Sequence, residues 1–214
     1  MSNILITGSG KGLGKAMKDE LENQGHTVID FNLESGDDVR KAETASSINV
    51  DVLINNAGVN IINWLENFEE SDWDKVMDTN AKGIYMMTKA CLPSLIENKG
   101  TVLNIVSNAA HMPMTCSLAY NASKGAAHIM TLQLARELTK KHGITVFGIA
   151  PNKLSGTGMS DGIDDQVVAT RGWTKKYAQE YQLNGLLTGE ETPPQRLAEF
   201  VAYLLQTKEH HKYL

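Results

Sequence analysis

No stretch of the 214 residues reaches the eighteen or so consecutive apolar positions that a membrane-spanning helix needs. The apolar start, Asn3 to Ile6, is also too short for a secretory leader, so a cytoplasmic protein with no membrane partner is expected. A basic surplus is missing too: the net charge is −5 and the pI near 5.7, which argues against a nucleic-acid partner. Cysteine is scarce. Cys91 and Cys116 have no metal-ligand spacing and read as reduced thiols in or near a core, with no metal site expected. There is no internal repeat, low-complexity tract or linker. What is present, with 42% hydrophobic residues, is enough for one domain with a sizeable core.

The chain opens on an apolar run, Asn3 to Thr7, then Gly8-Ser9-Gly10-Lys11-Gly12-Leu13-Gly14, then a helical pattern through Glu22. Strand, glycine loop and helix in that order make a phosphate-binding βα unit, with the pyrophosphate at the positive helix end. Four glycines in seven residues are more than a flexible turn needs. The spacing Gly8-x-x-x-Gly12-x-Gly14 is neither G-x-G-x-x-G nor the nucleoside-triphosphate loop. A second strand follows Gly25 and ends at Asp30-Phe31-Asn32. Asp30 is placed to accept from ribose hydroxyls, with Asn32 on the same face as second choice; an ordinary strand-end turn residue is the alternative. Asp30 would favour NAD, whereas Lys11 in the glycine loop could pair with the 2′-phosphate of NADP. Asp37 or Asp38 could cap a short helix or contact a ligand.

Further along, Asp51 to Ile54 is a buried strand ending in Asn55-Asn56-Ala57-Gly58, polar and small residues that suit a turn or a nicotinamide ribose. Ser71 to Asp74 reads as a helix start, and the helix is expected to run to Leu92, ahead of Pro93. Within it Asn80 stands among apolar positions as a buried hydrogen-bonder or part of a relay. Strands are expected at Thr101 to Val106 and Ile144 to Ala150. Between them Ser107 lies just past a strand end, and Tyr120 and Lys124 sit four apart on a helix. A free phenol titrates near pH ~10, and an adjacent ammonium would lower that and make Tyr120 a working general acid/base. A plain helix-surface pair is the competing reading. Pro151-Asn152 opens what reads as a long irregular region to about Thr192, a candidate substrate loop, before a last helix at about 194–206.

Taken together, Thr7-Gly8-x-x-x-Gly12-x-Gly14, Asn55-Asn56-Ala57-Gly58, Ser107 thirteen residues before the tyrosine, and Tyr120-x-x-x-Lys124 occur in one order. In that order the chain resembles the compact branch of the short-chain dehydrogenase/reductase family, over nearly its whole length. The resemblance implies a three-layer αβα Rossmann fold in which residues 1–214 form one NAD(P)-binding domain. It implies hydride transfer between NAD(P)(H) and a carbonyl or secondary alcohol. Tyr120 would be the general acid/base, and Lys124 would lower its pKa and bind the nicotinamide ribose. Ser107 would hold the substrate oxygen, and Asn80 would anchor a water linking Lys124 to solvent. Gly8, Ser9, Lys11, Gly12, Leu13, Gly14, Asp30, Asn32, Asp38, Asn56, Ala57, Gly58, Tyr120, Lys124, Pro151 and Asn152 would contact the cofactor, NAD more than NADP.

The chain departs from the family in three places. Asn152 stands where the family has glycine, Thr157 comes one residue late, and the sequence ends at His210-His211-Lys212-Tyr213-Leu214 where a final strand is usual. A homodimer or homotetramer through the helices of residues 72–92 and 118–140 is the implied assembly. A regulator that binds NAD(P) without turnover is the rival, but it would typically carry a damaged Tyr-x-x-x-Lys. An epimerase or dehydratase would favour Thr-Gly-x-x-Gly-x-x-Gly and a longer C-terminal domain. His111, Met112, Met114, Leu118 and the 153–190 loop are candidates to line the substrate site.

Overall fold

The computed structural model describes residues 1–207. Five short apolar runs form one parallel sheet: β1 (Asn3–Thr7), β2 (Thr27–Phe31), β3 (Val52–Asn55), β4 (Thr101–Ile105) and β5 (Thr145–Ile149), in the order β2-β1-β3-β4-β5. The central strands β1, β3 and β4 are buried on both faces, which is why they read as nearly unbroken apolar runs, while the edge strand β2 is only partly buried. Alternate side chains serve opposite layers. Ile4, Ile6, Val52 and Ile54 pack with Leu13, Met17 and Leu21 of α1 (Gly12–Asn23) and with Ala198 and Val201 of the last helix. Leu5, Leu53 and Val102 pack on the other face with Met87, Cys91, Leu95 and Leu138. The result is the expected three-layer αβα Rossmann fold.

On that second face α2 (Glu70–Met77) leads through a π-helical turn, Asp78–Lys82, into α3 (Gly83–Asn98). Two expectations fail here. The N-cap is Glu69 with no side-chain cap, not the Ser71 region, and the helix runs past Pro93 to Asn98. Pro93 costs the ladder one N–H, but the next turn buries Leu95 completely, and packing outweighs the break. α4 (Leu118–Leu134) continues through a second π turn, Ala135–Thr139, into the short α5 (Lys140–His142).

The stretch 151–192 is not irregular. It holds α6 (Gly158–Arg171) and α7 (Lys175–Asn184), capped by the hydroxyls of Thr157 and Thr174, and Val167 and Ala178 bury themselves against Ile62. α8 (Pro194–Thr207) then returns to lie beside α1. His210 to Leu214, bearing on the family's final strand, lie outside the described residues. No helix among the described residues is long and apolar enough to cross a membrane.

A buried polar relay pins the carboxyl ends of the central strands. Asn55 Nδ2 donates to Asn104 Oδ1 (2.9 Å), Asn104 Nδ2 to Thr131 Oγ1 (2.9 Å), and Thr131 Oγ1 to the Ala127 carbonyl (2.7 Å). It joins β3, β4 and α4 just beneath the loops that carry the polar motifs. Asn104→Ala strands amide and hydroxyl partners in the core, so urea denaturation should show a loss of about 1–3 kcal/mol. A loss below about 0.5 kcal/mol, typical of a surface change, would mean the relay does not hold the strand ends.

Candidate active site

The glycine loop fits an anionic phosphate group. Gly12 has φ +55, which glycine alone takes cheaply, and a Cβ on Gly14 would lie 2.1 Å from the Gly8 carbonyl oxygen. α1 can therefore start hard against the loop. Its N-cap, Lys11, is extended and makes no side-chain cap, leaving first-turn N–H groups free to bind a pyrophosphate. Leu13 is buried in the core, so only its backbone is available to such a ligand.

Beside the loop lies a cavity of about 360 Å³ lined by Ser9, Gly10, Lys15, Lys18, Asp30, Asn32, Glu34 and Ser35. Asp30 accepts from Ser9 Oγ (2.6 Å) and Lys18 Nζ (2.5 Å), and Asn32 Nδ2 donates to Ser9 Oγ (3.1 Å). Asp30 and Asn32 thus come together at the loop, as expected. Partial burial pushes the Asp30 carboxyl up, but the hydrogen bonds from Lys18 and Ser9 outweigh it and hold it below its ordinary value. Lys11 is exposed and does not line the cavity; the lysines that do are Lys15 and Lys18. Neither acidic residue of the expected helix cap serves as one. Asp38 takes the backbone N–H and guanidinium of Arg40, Asp37 accepts from Ser35, and the turn that follows (Ala42–Ser47) is 3-10 with Lys41 as its uncapped start. Asp38 does not line the cavity either.

At the end of β3, Asn56 Nδ2 donates to the carbonyls of Thr7 and Gly8, and the N–H groups of Asn56 and Ala57 donate to Thr7 Oγ1. These bonds tie the 56–58 turn to the glycine loop. Gly58 faces Asn80 and Lys124: a Cβ there would lie 3.4 Å from Asn80 Oδ1 and 3.8 Å from Lys124 Nζ. The π turn points Asn80 inward. Its Oδ1 accepts from Val59 N–H (2.8 Å), and its Nδ2 donates to the Val59 carbonyl (2.8 Å) and Ser123 Oγ (3.0 Å). Ser123 in turn donates to the Tyr120 carbonyl (2.8 Å). The Asn80 side chain is therefore a structural hydrogen-bonder that braces both the loop and α4.

Ser107, past the end of β4, caps a 3-10 turn by accepting from Ala109 N–H and hydrogen-bonds the Tyr120 phenol. Lys124 is 5% exposed, and its Nζ donates to the Ile105 carbonyl (2.8 Å) while lying 5.8 Å from the Tyr120 ring centre. Burial pushes the Lys124 ammonium down to about 8. Burial also pushes the Tyr120 phenol up from its ordinary value, with the Ser107 hydrogen bond pulling the other way. The expected lowering of Tyr120 by Lys124 thus does not prevail in the unliganded chain. The physical reason is that the ammonium turns to the Ile105 carbonyl and is itself poorly solvated.

Asn121, which sequence reasoning passed over, donates from Nδ2 to the carbonyls of Ala109 (2.7 Å) and Met112 (2.8 Å), fixing the Ser107 turn on α4. Its only signal was an amide next to the tyrosine. Asn152 Oδ1 accepts from Asn108 Nδ2 (2.6 Å), and the Pro151 carbonyl accepts from Asn108 N–H, so the residue that replaces glycine braces the same turn. Thr157 lies over the glycine loop: its Cβ would be 3.5 Å from a Cβ on Gly12. Asn60, two residues past Gly58, keeps both amide atoms buried with no partner among the described residues.

α6 and α7 cover this end of the sheet. Ile62 N–H donates to Gln166 Oε1 (3.0 Å), and Trp64 Nε1 to the Thr170 carbonyl (3.0 Å). Arg171 stacks on Trp173 beside Tyr181. His111 instead packs edge-on against His128 (4.5 Å between ring centres), and both line a separate cavity of about 220 Å³ along β5. Met112, Met114 and Leu118 are exposed.

Lys124 carries a stability signature. In the unfolded chain it holds its proton to about pH 10.5, in the native chain only to about 8. Between those values the unfolded state binds more protons, so native stability rises with pH there, and below pH 8 the buried charge costs up to about 3 kcal/mol. Wild type should therefore gain on Lys124→Met by more than about 1 kcal/mol between pH 7.5 and 9.5 in urea denaturation. A constant difference would mean that Lys124 is not desolvated.

The residues 32–167 match the family model for short chain dehydrogenase. The chain is 28% identical to the sorbitol-6-phosphate 2-dehydrogenase of Klebsiella pneumoniae, over 96% of this chain and 89% of that protein. It is 31% identical to the NADP-dependent 3-hydroxy acid dehydrogenase of Shigella flexneri, over 88% and 84%. Among solved structures, a variant of actinorhodin polyketide ketoreductase with NADPH superposes with TM-score 0.83 at 25% identity, covering 95% of this chain and 89% of that one. With the fold, the motif matches and these relatives in agreement, the chain belongs to the short-chain dehydrogenase family and is an NAD(P)-dependent oxidoreductase.

Proposed function

We propose that this protein transfers hydride between NAD(P)(H) and a small or medium carbonyl or secondary alcohol, with Tyr120 as the general acid/base. The observation that carries the reading is the half-buried Tyr120 phenol, hydrogen-bonded to Ser107 and backed by Lys124 at the carboxyl ends of the strands. When bound, the nicotinamide gives up or takes the hydride. The chain's own residues handle the oxygen. In the reducing direction Ser107 Oγ and the Tyr120 hydroxyl donate to the carbonyl oxygen, and the Tyr120 proton passes to it as the alkoxide forms. In oxidation the proton returns to the phenolate.

Burial keeps the Tyr120 phenol in its protonated form, the form that gives its proton to the oxygen as the alkoxide develops. Lys124 then binds the ribose edge of the cofactor and supplies positive charge next to the phenol. Asn80 acts as a positioning residue, holding Gly58 and Val59 against Lys124. The ionised Asp30 gives the site an acceptor for ribose hydroxyls, so NAD is among the cofactors it takes.

Residues 151–192 close over the site as a substrate lid, with Trp173, Tyr177 and Tyr181 forming its aromatic cluster. Two free cysteines suit a reducing, cytoplasmic compartment. Exposed Tyr85 on α3 and Ile129 and Leu132 on α4 support self-association through those helices into a dimer or tetramer.

Tyr120→Phe removes the transferable proton and leaves the ring in place. Carbonyl-dependent oxidation of NADH or NADPH, followed at 340 nm, should fall by about 10²–10⁴-fold while cofactor affinity stays nearly unchanged. Full activity in that variant would sink the assignment.

A further inference from the structure

The cavity beside the glycine loop holds a cation that the family motifs do not include. Lys18 sits on α1 next to the core stripe Leu13, Met17 and Leu21, and its stem crosses to the end of β2, where Nζ meets Asp30 Oδ2 at 2.5 Å. Among the described residues Asp30 is its one hydrogen-bond partner, so two of the three ammonium N–H groups are left for a ligand. The pair is a little over a quarter exposed on the lysine side and about a third on the aspartate side, open to the cavity rather than sealed under it. Lys15, on the same rim, is held by Asp19 (2.6 Å), and Glu34 lies over Gly10, where a Cβ would meet its Oε2 at 2.8 Å. Lys18 and Asp30 are thus oppositely charged, in contact, and adjacent to Ser9 and Asn32.

An isolated carboxylate at this strand end would accept from a ribose 2′-hydroxyl and repel a 2′-phosphate, which brings about −1.5 to −2 charges. An ammonium bonded to that carboxylate changes the balance. Asp30 keeps lone pairs for a hydroxyl, because each oxygen accepts only one bond from Ser9 or Lys18. At the same time Lys18 cancels its charge and can give its remaining N–H groups to a phosphate.

We propose that Lys18 is a cofactor-specificity residue, pairing with Asp30 so that this end of the cavity accepts a ribose bearing either a 2′-hydroxyl or a 2′-phosphate. The inference rests on reading the cavity as the adenosine-ribose end of the cofactor site. NADH and NADPH then bind with comparable affinity, and loss of Lys18 converts the chain to strict use of NADH.

Calorimetric titration of the full chain with NADH and with NADPH tests this, using wild type, Lys18→Met, Lys18→Arg and Asp30→Asn. Wild type should bind both with dissociation constants within about tenfold. Lys18→Met should weaken NADPH by at least about tenfold and NADH by less than about threefold. Lys18→Arg should retain NADPH, and Asp30→Asn should weaken NADH while tightening NADPH. If wild type binds and the NADPH/NADH ratio in Lys18→Met stays within about twofold of wild type, the role of Lys18 is overturned and the cofactor site stands. If wild type binds neither, both fall. Lys18 lies outside the hydrophobic core, so Lys18→Arg and Lys18→Met should melt together, and a lower melting temperature in one of them would reveal a folding defect.

Discussion

The hydrogen bonds made by buried amides at the carboxyl ends of β3 and β4 set the distances of the whole site. Asn55, Asn104 and Thr131 bond in series across three elements, with Asn55 Oδ1 the one atom of the three side chains left without a partner among the described residues. Asn56 ties its turn to the glycine loop, and Asn80 clamps Val59 while reaching Ser123 on α4. Asn121 locks the Ser107 turn onto that same helix. An unmade hydrogen bond in such a place costs about 1–3 kcal/mol, so the loops have little freedom to drift. Tyr120, Ser107 and Lys124 are therefore held in register by amide chemistry around them as well as by the hydrogen bond between Ser107 and Tyr120.

Burial then sets the chemistry. The same desolvation that pushes the Lys124 ammonium down to about 8 pushes the Tyr120 phenol up, so burial disfavours the charged form of both side chains. The protein carries an ammonium near its threshold of ionisation, beside a protonated phenol that shares a hydrogen bond with Ser107. That arrangement suits delivery of a proton to a developing alkoxide, where the charge appears only as the reaction proceeds.

Much of this could be read in advance because the carrying patterns are local. Tyr120 and Lys124 are one helical turn apart, and the glycine spacing belongs to one loop. Strands announce themselves by short apolar runs such as Ile4 to Ile6 and Val52 to Ile54. What escaped depends on tertiary neighbours. The Lys18–Asp30 pair joins residues twelve apart on different elements, and the solvation of Tyr120 and Lys124 follows from packing that no spacing encodes. Pro93 pointed to a helix end that core packing overrides. The helices between Thr157 and Asn184 did leave a signal: two threonine caps and the four-residue spacing of Trp173, Tyr177 and Tyr181. It was obscured by the glycine, serine and threonine content around it.

The central claim is that the strand ends build one site in which a dinucleotide and a carbonyl oxygen meet at Tyr120. A crystal structure with bound NADH tests it most directly. The account predicts the pyrophosphate against the Gly12–Gly14 start of α1, the adenosine ribose at Asp30 and Lys18, and the nicotinamide between Gly58 and Tyr120. Cofactor density elsewhere, or a nicotinamide out of reach of Ser107 and Tyr120, would contradict it.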